Sequence, residues 1–225
     1  MVKVLNGLLI TTILISCNNK EPELQAHNLV PEIEYEYAID VPVNNPGVII
    51  NIDTISFFKS DRFLNDKSKE TQILLDKIKQ LNTKFDTYQI IKDNTIRILD
   101  ENNYKFTIID KFNENDFPVE QLNKENFKEL LNFKELNKNY SHKDIVLVTL
   151  KNGFDYNEED PTKYVAKTYA YINIINTEKG ELKFAESIGG TKYFDDKIEN
   201  ISVDNLAKIM HESLQNTIDI TDKKY

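Results

Sequence analysis

Asp144-Ile145-Val146-Leu147-Val148-Thr149-Leu150 is apolar at almost every position. A strand with one wet face alternates polar and apolar residues. A continuous apolar run of this length marks a strand buried on both faces, inside a sheet with layers packed on each side. Further along, Val165 to Ile175 and Glu181 to Ser187 form a hairpin across Asn176-Thr177-Glu178-Lys179-Gly180. Gly180 supplies the positive φ that such a turn needs. Ser202 then caps a helix with Val203, Leu206, Met210 and Leu214 on one face.

Upstream of the central run, Val48 to Phe58 is rich in β-branched and aromatic residues and reads as an inner strand, entered through a Pro/Asn/Gly connection over Val41 to Gly47. Residues 68–85 carry Leu74, Leu75, Ile78, Leu81 and Phe85 at helical spacing, with Ser68 as the starting cap. Asp86-Thr87-Tyr88-Gln89 has the form of a capping box. It opens a second helix with Tyr88, Ile91, Thr95, Ile98 and Leu99 on one side, ended by Asn102 and Asn103 in the left-handed region. Tyr104 to Asp110 follows as a strand. The alternative pairs Thr95 to Leu99 with Tyr104 to Ile108 as a hairpin. Residues 123–138 read as one helix with Phe127, Leu130, Leu131 and Phe133 inward. Glu32-Ile33-Glu34-Tyr35-Glu36-Tyr37-Ala38-Ile39 alternates strictly, as a half-exposed edge strand does. Helices alternate with strands and the hairpin comes late. The expected fold class is therefore α/β, with α+β as the alternative: a single mixed β-sheet with packed helices, a late hairpin and a C-terminal helix. No internal repeat is visible.

The 225 residues include 12 Phe and 11 Tyr, and 40% of the chain is hydrophobic, enough for a packed core. Acidic residues number 37 against 28 Lys and Arg. That balance repels phosphate backbones and argues against nucleic acid as a partner. Cys17 is the only cysteine. No disulfide can form within the chain and no multi-cysteine metal site is available, so the domain is expected to fold with neither metal nor disulfide.

Residues 1–16 place Lys3 before a mostly apolar run from Val4 to Ile15. This is the layout of an export signal, and it is shorter than the ~20 residues a transmembrane helix needs. The run ends in Leu14-Ile15-Ser16-Cys17, which resembles the lipobox of bacterial lipoproteins: an aliphatic residue, a tolerant position, a small residue, then Cys. That resemblance implies removal of the leader and acyl chains on Cys17, which becomes the first mature residue. Without Lys3, 27 basic residues face 37 acidic ones, a net charge of −10. Several acyl chains anchor stably where one holds weakly. Asn18 departs from the Asp that favours inner-membrane retention in lipoproteins of the enteric type, which points to the outer membrane. Lys20-Glu21-Pro22-Glu23 weakly resembles a surface-export tag but reads better as plain solvated tether. The expected organisation is a signal peptide over 1–16, a lipidated flexible tether over 17–31 and one globular domain over 32–225.

Three stretches resemble the α/β domain of outer-membrane lipoproteins of the curli-secretion and penicillin-binding-protein-activator type, and the amino-terminal domain of the Tol-system propeller protein. They are the opening strand Gly47-Val48-Ile49-Ile50-Asn51-Ile52; the helix end running into a strand over Leu99-Asp100-Glu101-Asn102-Asn103-Tyr104-Lys105-Phe106-Thr107-Ile108-Ile109-Asp110; and the hairpin around Asn176 to Glu181 with the helix that follows. The resemblance spans about residues 45–218. It implies an adaptor or assembly role rather than catalysis.

Motifs that carry chemistry are scarce. His27 falls in the tether, His142 precedes the central strand, and His211-Glu212-Ser213-Leu214-Gln215 lacks the second histidine of a zinc-protease helix. Gly189-Gly190-Thr191-Lys192 lacks the spaced first glycine of a phosphate loop and reads as a turn after a strand. Asp155, Glu158, Glu159 and Asp160 form an acidic cluster without EF-hand spacing, in what reads as a long loop from Lys151 to Lys163. Tyr164, Tyr169, Tyr171 and Tyr193 are candidates for a binding face, although strand alternation also lets them pack within the sheet. The expectation is a non-catalytic, membrane-anchored envelope lipoprotein that binds a protein partner, with no cofactor, no metal and no catalytic residue. The alternatives are an envelope hydrolase acting on cell-wall or carbohydrate substrates with paired carboxylates, and a small-ligand or calcium binder.

Overall fold

The structure is a computed structural model that describes residues 43–58, 69–117, 121–157, 163–195 and 200–224, all within the unit Glu36–Tyr225. The leader, Cys17, the tether with His27 and the alternating stretch Glu32 to Ile39 lie outside the described residues, as does Ser68. The chain has an α/β fold: one mixed six-stranded sheet with helices packed on it.

The apolar run sits where its composition demands. β4 (Asp144–Tyr156) lies at the middle of the sheet, and its residues from Asp144 to Leu150 are all buried. On one side it pairs in parallel with β1 (Gly47–Ile52), which puts Val48 opposite Val146 and Ile50 opposite Val148. The short β3 (Thr107–Ile108) pairs in parallel outside β1, and β2 (Ser56–Phe57) runs beside the far end of β4. On the other side β5 (Tyr164–Asn176) and β6 (Glu181–Phe194) form the antiparallel hairpin, with Gly180 at φ 60° in its turn. Parallel neighbours need crossovers. α1 (Lys69–Asn82) and α2 (Tyr88–Glu101) lie between β2 and β3, and α3 (Phe127–Leu130) and α4 (Phe133–Asn139) precede β4. α5 (Val203–Lys224) closes the chain, with Ser202 Oγ accepting the Asn205 amide at 3.1 Å. Among the described residues no helix is long and apolar enough to cross a membrane.

The two faces of the sheet are covered differently. On one, α1, α2 and α5 bury Val148, Leu150, Phe154, Ala166, Ala170 and Ile174. On the other, the chain between Ile109 and Tyr140 covers Ile49, Ile145, Leu147 and Ile175 with Phe117, Leu122 and Phe127.

Several sequence readings need correction. Val48 to Phe58 is not one strand, because it breaks after Ile52. Asn82, at the end of α1, there accepts the Ile55 amide at 2.7 Å and donates to the Ile55 carbonyl at 2.9 Å, replacing a strand neighbour. The capping box does not form. Thr87 is helical and caps nothing with its side chain; Asp86 instead accepts from the Tyr88 amide at 3.0 Å, and Gln89 turns to Asp93. α2 displaces the hairpin alternative. It ends at Glu101 with Asn102 as its cap at φ −90°, and Asn103 just beyond, at φ 58°, is the expected left-handed stop. Residues 123–138 split at Leu131-Asn132, where Asn132 caps α4 and turns the chain so that both Leu131 and Leu136 reach the core. The loop after Lys151 is shorter than read, because β4 runs on to Tyr156 and the Asn157 amide bonds to the Lys163 carbonyl at 2.9 Å.

Candidate functional site

Beyond the ground covered by Phe117 and its neighbours, the second face of the sheet opens. Register defines it row by row. Asn51, Thr149, Tyr171 and Ser187 lie side by side; the next row is Lys151, Tyr169 and Gly189; the next is Gly153, Lys167 and Thr191; the last is Asp155, Val165 and Tyr193. Tyr169 and Tyr171 are two apart on one strand and so share this face. Their rings are parallel to within 1°, with centroids 6.4 Å apart. The Tyr169 ring leans over Gly189, where a Cβ would come within 2.8 Å of it. Phe58 meets Tyr169 edge-on at 5.4 Å, and the Lys151 ammonium sits 6.0 Å above the Phe58 ring. Along the sheet edge Ala185, Ser187, Gly189, Thr191 and Tyr193 are all exposed, Tyr193 at 59%. The result is an aromatic platform bordered by small uncharged side chains.

Electrostatics suit binding rather than proton transfer. Burial, then the neighbouring Tyr169, pushes the Tyr171 hydroxyl up from 10.0, so it stays neutral and keeps its proton to donate. The only carboxylate on the strands of this face is Asp155. It is buried, and it accepts from Lys167 Nζ and from the Tyr156 amide at 2.9 Å each. Thr149 and Asn173 are each 1% exposed, and Thr149 Oγ1 and both amide atoms of Asn173 have no hydrogen-bond partner among the described residues. Buried polar groups are nearly always paired, so two unpaired ones beside the platform mark the place as unusual.

The other sequence candidates scatter. Tyr164 points to the opposite face and is stacked on Phe194 in the core. Gly189 to Lys192 is neither a phosphate loop nor a turn but the middle of β6. Asp155 is tied to Lys167, and Glu158, Glu159 and Asp160 lie outside the described residues. His142 Nδ1 lies 3.4 Å from the Asn45 carbonyl oxygen, and His211 is exposed on α5. Among the described residues no three His, Cys, Asp or Glu side chains converge as metal ligands do. Phe58, Lys151, Thr149 and Asn173 were missed, because only the register of β4 against β5 sets Thr149 and Lys151 across from the tyrosines. A second concavity was also invisible in the sequence: an apolar cleft of about 80 Å³ between α2 and α5, floored by Val148, Ile172 and Ile174.

Near that cleft Lys224 of α5 reaches Glu186 of β6, with side chains only 4% and 15% exposed. Burial pushes the carboxyl up and the ammonium down, each toward its neutral form, against the mutual attraction that favours both charges. Breaking a buried pair typically costs 3–5 kcal/mol; Glu186 keeps some solvent, so Lys224→Met is expected to lose about 2 kcal/mol at neutral pH. A raised carboxyl value means the folded state holds the proton more tightly than the unfolded chain does. The loss should therefore shrink as pH falls through that raised value toward 4.5. Thermal melts of both proteins at neutral and mildly acidic pH check this, and a gap that widens on acidification contradicts it.

No family model and no curated protein matches the chain. Among solved structures it is similar to lipoprotein GNA1162 from Neisseria meningitidis, at 14% identity and a TM-score of 0.30 over 78% of this chain and 99% of that one. It is similar to hypothetical protein CT253 from Chlamydia trachomatis, at 7% identity and 0.34 over 79% and 95%. It is also similar to the LpoB C-terminal domain from Salmonella enterica, at 13% identity and 0.26 over 68% and 86%. At these scores and identities, the function is read from the chain's own side chains.

Proposed function

We propose that the chain is a membrane-anchored lipoprotein of the cell envelope, lipidated at Cys17, whose domain is a non-catalytic module that binds a protein partner through the Tyr169–Tyr171 platform. The carrying observation is the pair of parallel tyrosines, flanked by an exposed strip of mostly small residues. Aromatic side chains with a polar tip are the commonest anchors at protein interfaces, because they bury large area with little rotamer entropy to lose. Lipid on Cys17 would hold such a module at high local concentration beside membrane partners. Asn18 favours the outer membrane, and the acidic charge argues against nucleic acid. Asp155 is engaged by Lys167, which leaves it less available as a catalytic base or cation ligand.

The test has two arms in native envelopes. Labelled palmitate should enter the wild type and not Cys17→Ala; equal labelling removes the anchor. Crosslinking followed by mass spectrometry should recover a reproducible partner. Tyr169→Ala/Tyr171→Ala should reduce its yield by at least roughly tenfold, the loss expected when one interface anchor worth 2 kcal/mol or more is removed. Undiminished recovery, or cleavage of wall fragments abolished by Asp155→Asn, overturns the reading.

A further inference from the structure

β6 is 14 residues long and forms one edge of the sheet, and among the described residues no strand pairs with its outer side. Edges of this length are ordinarily guarded by charge, proline or a covering element. Along β6 the charged residues beyond Glu181 are held within their own molecule: Lys183 by Asp144 at 2.8 Å, Glu186 by Lys224, and Lys192 by Glu212 at 2.6 Å. The platform side of β6 carries no charge from Ala185 to Tyr193. Two side chains of α5 already bond to carbonyls of β6: Asn216 Nδ2 donates to that of Thr191 at 2.8 Å and Ser213 Oγ to that of Gly190 at 3.0 Å. A carbonyl oxygen has a second lone pair, so this leaves room for another donor.

We infer that two copies of the chain join their sheets through β6, antiparallel, about a two-fold axis at Gly189. The sequence of β6 is self-complementary about that residue. On the platform side Ser187 faces Thr191 of the second copy and Ala185 faces Tyr193, hydroxyl against hydroxyl and small against large. On the helix side Glu186 faces Lys192, Ile188 faces Gly190 and Phe184 faces Phe194. Each pair occurs twice by symmetry, and each is a favourable or neutral cross-strand combination. An axis at Glu186 or at Lys192 would instead set like charges face to face. Joined this way, the Tyr169–Tyr171 platforms of the two copies become one continuous surface with a Tyr193 on either side of the axis. The dimer stands on β6 alone, whatever the platform binds.

Sedimentation of the full chain in mild detergent, with micelles in large excess over protein, measures the association. The wild type is expected to dimerise at micromolar concentration. Ser187→Lys/Thr191→Lys places two like-charge pairs across the axis and should weaken the dimer by roughly tenfold or more. Ser187→Lys/Thr191→Glu places opposite charges at the same positions and should restore it. Both sites are exposed, so at concentrations low enough for all three to be monomeric the three melting temperatures should agree. A monomeric wild type, a dimer indifferent to the double lysine, or equal loss with both doubles overturns the assignment.

Discussion

Gly190→Ala is expected to destabilise the domain by about 3 kcal/mol, a fall of roughly 6–12 °C in melting temperature for a domain of this size. A Cβ at Gly190 would lie 2.5 Å from the Ser213 carbonyl oxygen and the Thr217 amide nitrogen, and 2.6 Å from Thr217 Oγ1. Two of these obstacles are helix backbone and cannot rotate away. α5 would have to lift off the hairpin, against a buried network: Ser213 Oγ donates to the Gly190 carbonyl at 3.0 Å and Thr217 Oγ1 donates to the Thr168 carbonyl at 3.1 Å. Overpacking alone costs about 1–3 kcal/mol, and each stretched buried hydrogen bond adds about 1 kcal/mol. Gly189→Ala is the control. Its obstacle is the Tyr169 ring, a side chain that can swing aside, so the expected cost is about 1 kcal/mol. Thermal denaturation of the two variants side by side decides the point; equal melting temperatures would mean that α5 does not press on Gly190.

Phe154→Ala should cost about 3–5 kcal/mol, which is roughly 6–20 °C in melting temperature. The side chain is fully buried in β4. Its ring lies edge-on to Phe194 at 6.0 Å and tilted to Phe57 at 6.4 Å, in the cluster that joins α1 and α5 through Leu74, Leu81, Leu206 and Met210. Removing the ring leaves a void bounded by strands and two helices, none of which can collapse into it alone. Leu75→Ala is the comparison. Leu75 is 39% exposed, and its loss should stay within about 0.5 kcal/mol. Urea midpoints measure both. A Phe154→Ala loss near that of Leu75→Ala would show that the layer between β4 and α5 is not close-packed.

The sequence reading of Gly189-Gly190-Thr191-Lys192 failed for an instructive reason. Paired glycines announce a turn when only neighbours along the chain are considered. Here each glycine answers a different partner far away: Gly190 admits α5 from one face and Gly189 admits the Tyr169 ring on the other. Asp155, read as part of a solvated acidic loop, is instead a buried residue of β4 whose partner is Lys167 across the ladder. Tyr164 and Tyr169 were grouped by composition, although their odd separation along one strand already placed them on opposite faces.

By itself the sequence determined the elements whose signals are local. The apolar run of β4, the Gly180 turn, the Ser202 cap with its apolar stripe and the α/β alternation follow from periodicity and backbone chemistry within a few residues. Tertiary structure alone decided the break at Ile55, where Asn82 takes over the backbone hydrogen bonds, and the split of residues 123–138 into two short helices. It also decided which part of the sheet is open. Parity pairs Tyr169 with Tyr171 and Thr149 with Lys151; the register of β4 against β5 puts both pairs on one face, and neither says what covers them. Coverage is a long-range property, set by where the chain between Ile109 and Tyr140 runs out of apolar side chains to lay over the strands.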